Sequence, residues 1–374
     1  VINHDRYVSN ISESNGPFAG VPVADKKADE KADVEQVAEE AGSTASRALP
    51  RLGFVGAGWI GRHRMTYLHS NHGASIGAIC EPCPHARAAV SEIVPDSEFV
   101  DDLDQLLQVP LDGVVISTPN HLHAEQTMRV LKHGLPVFCQ KPLARTTAET
   151  MQIVTKARNA DRLLSVDFCY RHLQSATRLR EMIRQGEIGD VYAVDLTFHN
   201  AYGPDKEWFY ELAKSGGGCL LDLGIHLADL LLWVFGFPEP NAIQASMYRN
   251  GRWLGDQHQQ VEDYALANWS FASGVAARLA CSWRLHAGRD AVIEAIFYGT
   301  QGTLALKNVN GSFFDFCLEQ YDGTTSRVLV EPPDDWGGRC IGQFARQIAI
   351  SPKFHPQADE LIAVARLIDR SYGR

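Results

Sequence analysis

The sequence predicts a two-part chain of the α/β plus α+β class. A doubly wound parallel sheet comes first, and a domain with a large, mainly antiparallel sheet follows. Three observations carry that expectation. Residues 51–172 alternate short apolar strands with helix-period segments, the rhythm of a parallel sheet. The turn after the first strand reads Gly56-Ala57-Gly58-Trp59-Ile60-Gly61. Beyond residue 172, strand candidates succeed one another with tight turns, which favours antiparallel pairing. With 374 residues, the chain has room for two domains of common size.

Taken in order, residues 1–50 are polar and rich in Ala, Glu, Asp and Lys. They read as a flexible arm. Within it, 24–41 can form a helix with Val34, Val37, Ala38 and Ala41 on one face, a shape that could embrace a partner subunit. The start lacks the basic, apolar and cleavage regions of an ordinary secretory signal, and it carries no twin-arginine pair. Strands are then expected at 52–55, 75–80, 113–117, 136–139 and 163–168, with helices at 121–133 and 147–160 between them; these make up a dinucleotide-binding domain over 51–172. A helix at 174–185 and a strand at 190–199 open the second domain, 173–356. An apolar helix at 219–235 follows, then strands at 242–248, 263–271, 274–283, 291–298 and 302–306. Helices at 336–350 and 357–372 close the chain, with 357–374 read as a C-terminal helix. No internal repeat is visible.

Composition narrows the function. Hydrophobic residues make up 45% of the chain, a normal share for a globular enzyme. Thirty-five Lys and Arg against 45 Asp and Glu leave a net charge of −10, and an acidic chain without a basic stripe is a poor duplex binder. No apolar run approaches the roughly 20 residues of a membrane helix, so neither nucleic acid nor membrane is expected as a partner. Eight scattered cysteines argue for a reducing compartment, the cytoplasm, rather than a disulfide framework. Cys80 and Cys83 have CxxC spacing, but a zinc site would need a second such pair.

Chemistry concentrates in four segments. The Gly-rich turn lies between a strand and a helix, the context a dinucleotide fingerprint needs. There Gly56 allows the tight turn, Gly58 lets the backbone approach a pyrophosphate, and Gly61 lets the helix pack closely. The helix N-terminus then offers N–H groups and a positive dipole end to the phosphates. Glu81, at the end of the second strand, can accept from both ribose hydroxyls and repels a 2′-phosphate; Pro82 follows rather than Arg, so NAD is expected over NADP. The second segment, Ser117-Thr118-Pro119-Asn120-His121-Leu122-His123, lies at the carboxyl edge where ligands bind, and Asn120 is also a good N-cap. The third, Gln140-Lys141-Pro142, puts a lysine at a strand's carboxyl end, toward the nicotinamide region. In the fourth, Gly216-Gly217-Gly218 leads into a helix with Asp222 and His226 four residues apart on one face. Two ionisable groups on so apolar a helix are costly unless paired or used; from spacing alone they could be a satisfied core pair or half of a metal site. No metal is expected, because nothing else has ligand spacing.

Together with Gly-Glu-Ile-Gly at 186–189, these motifs resemble the glucose–fructose oxidoreductase / inositol dehydrogenase / MocA family over residues 51–372. The resemblance implies a Rossmann domain plus an open-faced antiparallel sheet domain. It implies that Lys141, Asp222 and His226 form the catalytic group, with Thr118, Asn120 and His123 near the cofactor. One position departs from the family's usual Glu-Lys-Pro: Gln140 stands where the Glu would be. It can still bond the nicotinamide ribose, but it removes a negative charge beside Lys141.

The implied chemistry is physically reasonable. His226 suits a base titrating near neutrality, Lys141 can stabilise alkoxide charge, and Asp222 can orient the imidazole or bond a neighbouring hydroxyl. Weaker substrate candidates are Arg171, His199, Asp205, Trp208 and Trp283, a mixture of aromatic faces and polar forks that suits a polyhydroxylated ligand. The expected activity is NAD-dependent hydride transfer on a secondary alcohol or ketone of a sugar, glycoside or cyclitol. Two alternatives keep the fold. One is a glycosidase working by transient oxidation and elimination, distinguished by the absence of net NAD turnover. The other is a sugar or NAD sensor, which would not need the acid–base group. An apolar or weakly polar set on both faces of 276–281 suits a sheet covered on both sides, and so a homodimer or homotetramer through it.

Overall fold

The computed structural model describes residues 49–255 and 259–374. The expected arm and its helix at 24–41 lie outside these residues.

Six parallel strands build the first sheet: β1 (Arg51–Val55), β2 (Ser75–Cys80), β3 (Glu98–Val100), β4 (Gly113–Ile116), β5 (Val137–Cys139) and β6 (Leu164–Val166), in the order β3-β2-β1-β4-β5-β6. Its central strands are apolar on both faces because helices cover both; Leu52, Phe54, Val114 and Val115 have no exposure. The helices are α1 (Trp59–Ser70), α2 (Pro84–Ser91), α3 (Leu103–Leu106), α4 (Asn120–His133) and α5 (Thr147–Ala160). Local chemistry sets their ends. Thr146 accepts from the Glu149 N–H to cap α5, and Gly134, at φ 87°, terminates α4 in the left-handed conformation a C-cap needs. Strand order reverses between β1 and β4, so the loops leaving their carboxyl ends part there and open a crevice.

The second domain begins with α6 (Gln174–Arg184) and β7 (Val191–Asn200). After the single turn α7 (Leu212–Ser215), a π turn at Leu220–Gly224 runs into α8 (Ile225–Phe235). The sheet then adds β8 (Pro240–Arg249), β9 (Arg252–Trp253), β10 (Tyr264–Phe271), β11 (Ala276–Ser282), β12 (Ala291–Gly299), β13 (Gly302–Asn308), β14 (Phe316–Asp322) and β15 (Thr325–Val330). Their order is β15-β14-β13-β12-β7-β11-β10-β8-β9, antiparallel throughout except where β7 meets β11. Four strands, β3, β9, β14 and β15, were not expected. The β14–β15 hairpin turns at Gly323-Thr324, between the paired Asp322 and Thr325, with Gly323 at φ 53°, the left-handed conformation that two-residue hairpin loops need.

The helix expected over 219–235 is present, with a π turn at its start that runs straight into α8. The 24 residues Leu212–Phe235 are long and apolar enough to match a membrane span by composition, yet they are largely buried inside the protein. Helix α9 (Arg339–Ile350) does not belong with the second domain, as a 173–356 boundary would have it. Its Ile341, Phe344 and Ile348 join Leu52, Phe54, Val115 and Phe138 in the core of the first. The last helix, α10 (Glu360–Ser371), packs on both α5 and α8.

Candidate functional site

The Gly-rich loop occupies the crevice between β1 and β4, and its glycines differ in what surrounds them. A Cβ on Gly56, whose φ is +89°, would lie 2.7 Å from the Ser117 carbonyl; one on Gly61 would lie 2.6 Å from Ser117 Oγ. Ser117 Oγ donates to the Gly56 carbonyl at 2.7 Å, tying the two loops together. Gly58 faces open space. No side chain caps α1, so its leading N–H groups remain for an anion. Glu81 is buried, and its carboxylate accepts from the N–H groups of Ala57 (2.7 Å) and Cys83 (2.9 Å). A carboxylate thus sits under the loop, and Arg87 beside it is committed to the Glu81 and Val100 carbonyls and to Asp101. This cradle, closed at Gly56 and Gly61 and open at Gly58, fits a dinucleotide pyrophosphate. Trp59 is 62% exposed and Ile60 half-buried at the loop's outer side.

The neighbouring candidates differ in burial. Thr118 is half-buried and donates to Gln126 Oε1 at 2.6 Å. Asn120 and His123 are buried and hydrogen-bonded to backbone carbonyls. Asn120 Nδ2 donates to the Ser215 carbonyl across the domain boundary (2.9 Å), and Pro119, not Asn120, is the N-cap of α4. His123 Nδ1 and Nε2 lie 2.7 Å from the Pro142 and Thr118 carbonyl oxygens. Gln140 is also turned inward: its Nε2 donates to Asp167 Oδ2 at 2.5 Å, and Arg64 Nε donates to the same oxygen at 2.7 Å. The negative charge absent from position 140 is therefore present on Asp167, one strand over and paired with Arg64.

Lys141 and Asp222 meet across the two domains. Lys141 Nζ donates to Asp222 Oδ1 and to the Asp222 carbonyl, both at 2.7 Å, and both side chains keep about a fifth of their surface exposed. The other carboxylate oxygen, Oδ2, accepts from Trp283 Nε1 at 3.1 Å. Asp222 lies within the π turn, a local irregularity that recurs at functional sites. His226 follows one turn later and is half-buried. It is not oriented by Asp222: among the described residues nothing hydrogen-bonds its buried Nδ1. Instead the imidazole stacks on Tyr170, with centroids 5.0 Å apart and planes at 28°. Tyr170 comes from the short 3₁₀ turn Cys169–His172 after β6 and was missed by sequence reasoning, because an aromatic there looks like ordinary core. Burial, then the positive charges of Lys141 and Arg64, hold the His226 pKa well below its ordinary value.

The structure redistributes the substrate candidates. Trp283 belongs to the site through Asp222. Arg171 does not: it is locked bidentately onto Asp229 (2.5 and 2.9 Å) and onto Glu360 (2.6 Å). It borders a crevice of about 280 Å³ along the β6 edge whose lining includes none of Lys141, Asp222 and His226. The crevice's Arg171 and Glu360 are paired with each other, and it lies apart from the cross-domain cluster at the carboxyl edge of the Rossmann sheet, where ligands of such sheets bind. His199 points to the opposite face of the sheet from Phe198, as strand alternation requires; Phe198 lies by His226, while His199 stacks on Tyr264 and sits 2.7 Å from Ser282 Oγ. Asp205 is a surface residue paired with Lys206. Trp208 is half-buried and stacked on Phe209 at 3.8 Å; Phe209 in turn abuts Trp283, so Trp208 lies one ring removed from the site. Among the described residues no group of three metal-ligating side chains occurs, and all eight cysteines are unpaired.

Two family models match this chain. One, described as an oxidoreductase family with an NAD-binding Rossmann fold, covers residues 50–168, and the GFO/IDH/MocA C-terminal domain covers 176–305. The chain is 26% identical to D-glucoside 3-dehydrogenase of Escherichia coli, over 68% of this chain and 76% of that protein. It is 29% identical to 1,5-anhydro-D-fructose reductase of Ensifer adhaerens, over 70% and 77%. Among solved structures, levoglucosan dehydrogenase in complex with NADH and levoglucosan superposes with a TM-score of 0.72 at 22% identity, covering 87% of this chain and 97% of that one. A 3-ketoreductase from Actinomadura kijaniata, in complex with TDP-benzene and NADP, gives 0.73 at 21% identity, covering 86% and 96%.

Proposed function

The chain belongs to the GFO/IDH/MocA family of NAD-binding oxidoreductases, and from that premise we propose that it moves a hydride between NAD and a secondary alcohol or ketone carbon of a sugar, glycoside or cyclitol, using Lys141, Asp222 and His226. The observation that carries the reading is the 2.7 Å contact of Lys141 Nζ with Asp222, one helical turn from His226 and at the carboxyl edge of the Rossmann sheet.

A nicotinamide dinucleotide held on the Gly56–Gly61 loop supplies the hydride acceptor or donor. The rest is done by side chains. Lys141 has three N–H bonds and gives two to Asp222, leaving a third for the reacting oxygen. Its positive charge then stabilises the developing alkoxide. Asp222, held on its other side by Trp283, fixes where the ammonium sits. His226 takes the hydroxyl proton at Nε2, since Nδ1 is buried, while its ring stacks on Tyr170. In ketone reduction the same atoms work in reverse.

The carboxylate of Glu81 and the commitment of Arg87 to other partners favour NAD over NADP. The free thiols suit a reducing cytoplasm. The second-domain sheet presents Ala280, Leu266 and Ile296 on the face away from its helices, beside the Arg278–Asp195 pair. A half-apolar face of this kind suits a homodimer or homotetramer.

The test is NADH formation with glucose, methyl glucoside, levoglucosan and myo-inositol, run with NAD and NADP. Wild type is expected to prefer NAD with at least one of these. Lys141→Ala should lose roughly 10²–10⁴-fold in kcat, and Glu81→Ser should weaken NAD binding while improving NADP use. Full turnover by the Lys141 variant would overturn the catalytic assignment, and a wild type preferring NADP would overturn the cofactor assignment.

A further inference from the structure

The segment that carries Asp222 starts in the protein interior, where its leading N–H groups have no solvent to bond. Each of them finds an acceptor from elsewhere in the fold. The Gly218 N–H donates to Glu262 Oε2 at 2.9 Å, that of Cys219 to the Glu262 carbonyl at 3.2 Å, and that of Leu220 to Glu262 Oε1 at 2.9 Å. The Leu221 N–H donates to Tyr372 Oη at 3.2 Å, and Tyr372 Oη itself donates to Glu262 Oε1 at 2.8 Å. The first bond inside the turn follows, from the Asp222 N–H to the Gly218 carbonyl. Two residues therefore satisfy four successive donors, and Glu262 does so with no exposure at all.

The three glycines ahead of this turn make the arrangement possible, each against a different neighbour. A Cβ on Gly218 would lie 1.9 Å from the Glu262 carbonyl oxygen, one on Gly217 2.3 Å from Tyr372 Oη, and one on Gly216 2.6 Å from Arg145 Cβ. A serine cap would take one N–H. A carboxylate gripping both Gly218 and Leu220 fixes the rotation of the turn as well as its position. The residue after Glu262 extends the same reference point: the Asp263 carbonyl accepts from the Trp283 N–H at 2.8 Å, and Trp283 holds Asp222 Oδ2. Asp222 is thus located from both sides by residues 262–263.

We propose that Glu262 and Tyr372 are positioning residues for hydride transfer, clamping the start of the π turn so that Asp222 holds Lys141 at the reacting oxygen. The clamp rests on the assignment of Lys141 and Asp222 made above. It acts through them, since neither Glu262 nor Tyr372 touches the reacting atoms.

The test uses Glu262→Gln and Tyr372→Phe in the full chain, assayed with saturating NAD and the sugar of the four-member panel that wild type turns over fastest. Each variant should lose about 10–100-fold in kcat, while NAD affinity, measured separately by binding, stays within about twofold. A purely structural role is distinguished by a double-mutant cycle with Asp222→Asn: if the clamp acts through Asp222, Glu262→Gln should add less than about twofold to the loss already caused by Asp222→Asn. Retention of kcat within twofold in both single variants, or full additivity in the cycle, would overturn the proposal. If Glu262→Gln does not fold, Tyr372→Phe, which removes a single oxygen, carries the same cycle and the same criteria. Wild-type turnover by Lys141→Ala and Asp222→Asn would instead bring down the catalytic assignment, and the clamp with it.

Discussion

At the scale of single residues, the surroundings of His226 decide how turnover responds to pH. Spacing alone suggested a base titrating near neutrality. Burial against Tyr170 and the charges of Lys141 and Arg64 move it well below that. A lowered pKa keeps the imidazole neutral, and so competent as a base, across the neutral range. The rate of alcohol oxidation is therefore expected to be flat through pH 6.5 and to fall only at clearly lower pH. His226→Ala should lose about 10²–10⁴-fold in kcat together with that acid limb. A limb centred at 6.5 in the wild-type profile of kcat/KM would contradict this. Part of the site was legible at this scale: Gly56 and Glu81 occur in a motif whose chemistry requires those residue types, whereas the roles of Lys141 and Asp222 came from the family resemblance, since spacing alone left them open. Tyr170, Asp167 and Glu262 were not legible. Each acts across a contact that joins distant parts of the chain, and neither spacing nor residue type signals such a contact. His199 was misread because the last residues of a strand alternate faces, and only the register shows which of Phe198 and His199 turns toward the helices.

At the scale of elements, the strand at 75–80 and the helix at 147–160 were read to the residue, while the closing helices, expected from 336 and 357, begin three residues later. The losses came where length or environment removes the pattern. Strand β3 has three residues and β9 two, too few for alternation to register, and the π turn has the same composition as the helix it feeds. Helix α9 shows what a helix loses when its assigned domain is wrong: its apolar stripe was visible, but the partner of that stripe was not. Phe344 is 1% exposed and meets Phe138 with centroids 5.6 Å apart. Phe344→Ala should destabilise the protein by about 3–5 kcal/mol, the usual range for a fully buried Phe, and calorimetry should show the loss in the transition that also releases NAD. A change below about 1 kcal/mol would mean that α9 is peripheral to the nucleotide domain.

At the scale of the whole molecule, several histidines are held neutral in the fold. Burial pulls His172 down to about 4 and lowers His123, His199 and His226 as well. In the unfolded chain these groups take up protons near 6.5. Because the unfolded state binds more protons between about 6.5 and 4, stability present above that window is lost as pH falls through it. Glu262 and Asp229, whose pKa values burial raises, act in the opposite sense, but the histidines outnumber them. The melting temperature is expected to drop by several degrees from pH 7 to pH 5, and His172→Asn should flatten the slope; a Tm constant over that range would refute the expectation. Assembly can be read at the same scale. Light scattering at micromolar concentration should give the mass of a dimer or tetramer, and a monomer would count against burial of the open sheet face.

The return of α9 to the first domain bears on how the protein is made. A ribosome delivers residues 51–172 long before residue 350, so the nucleotide domain emerges with Phe138, Val115 and Leu52 lacking the helix that covers them. Domains usually fold in the order of synthesis, but here the core of the first-made half is completed by a helix translated near the end. Nascent chains stalled between residues 172 and 339 should therefore recruit chaperones that recognise exposed aromatic surface, and the chain of 374 residues released from the ribosome should not.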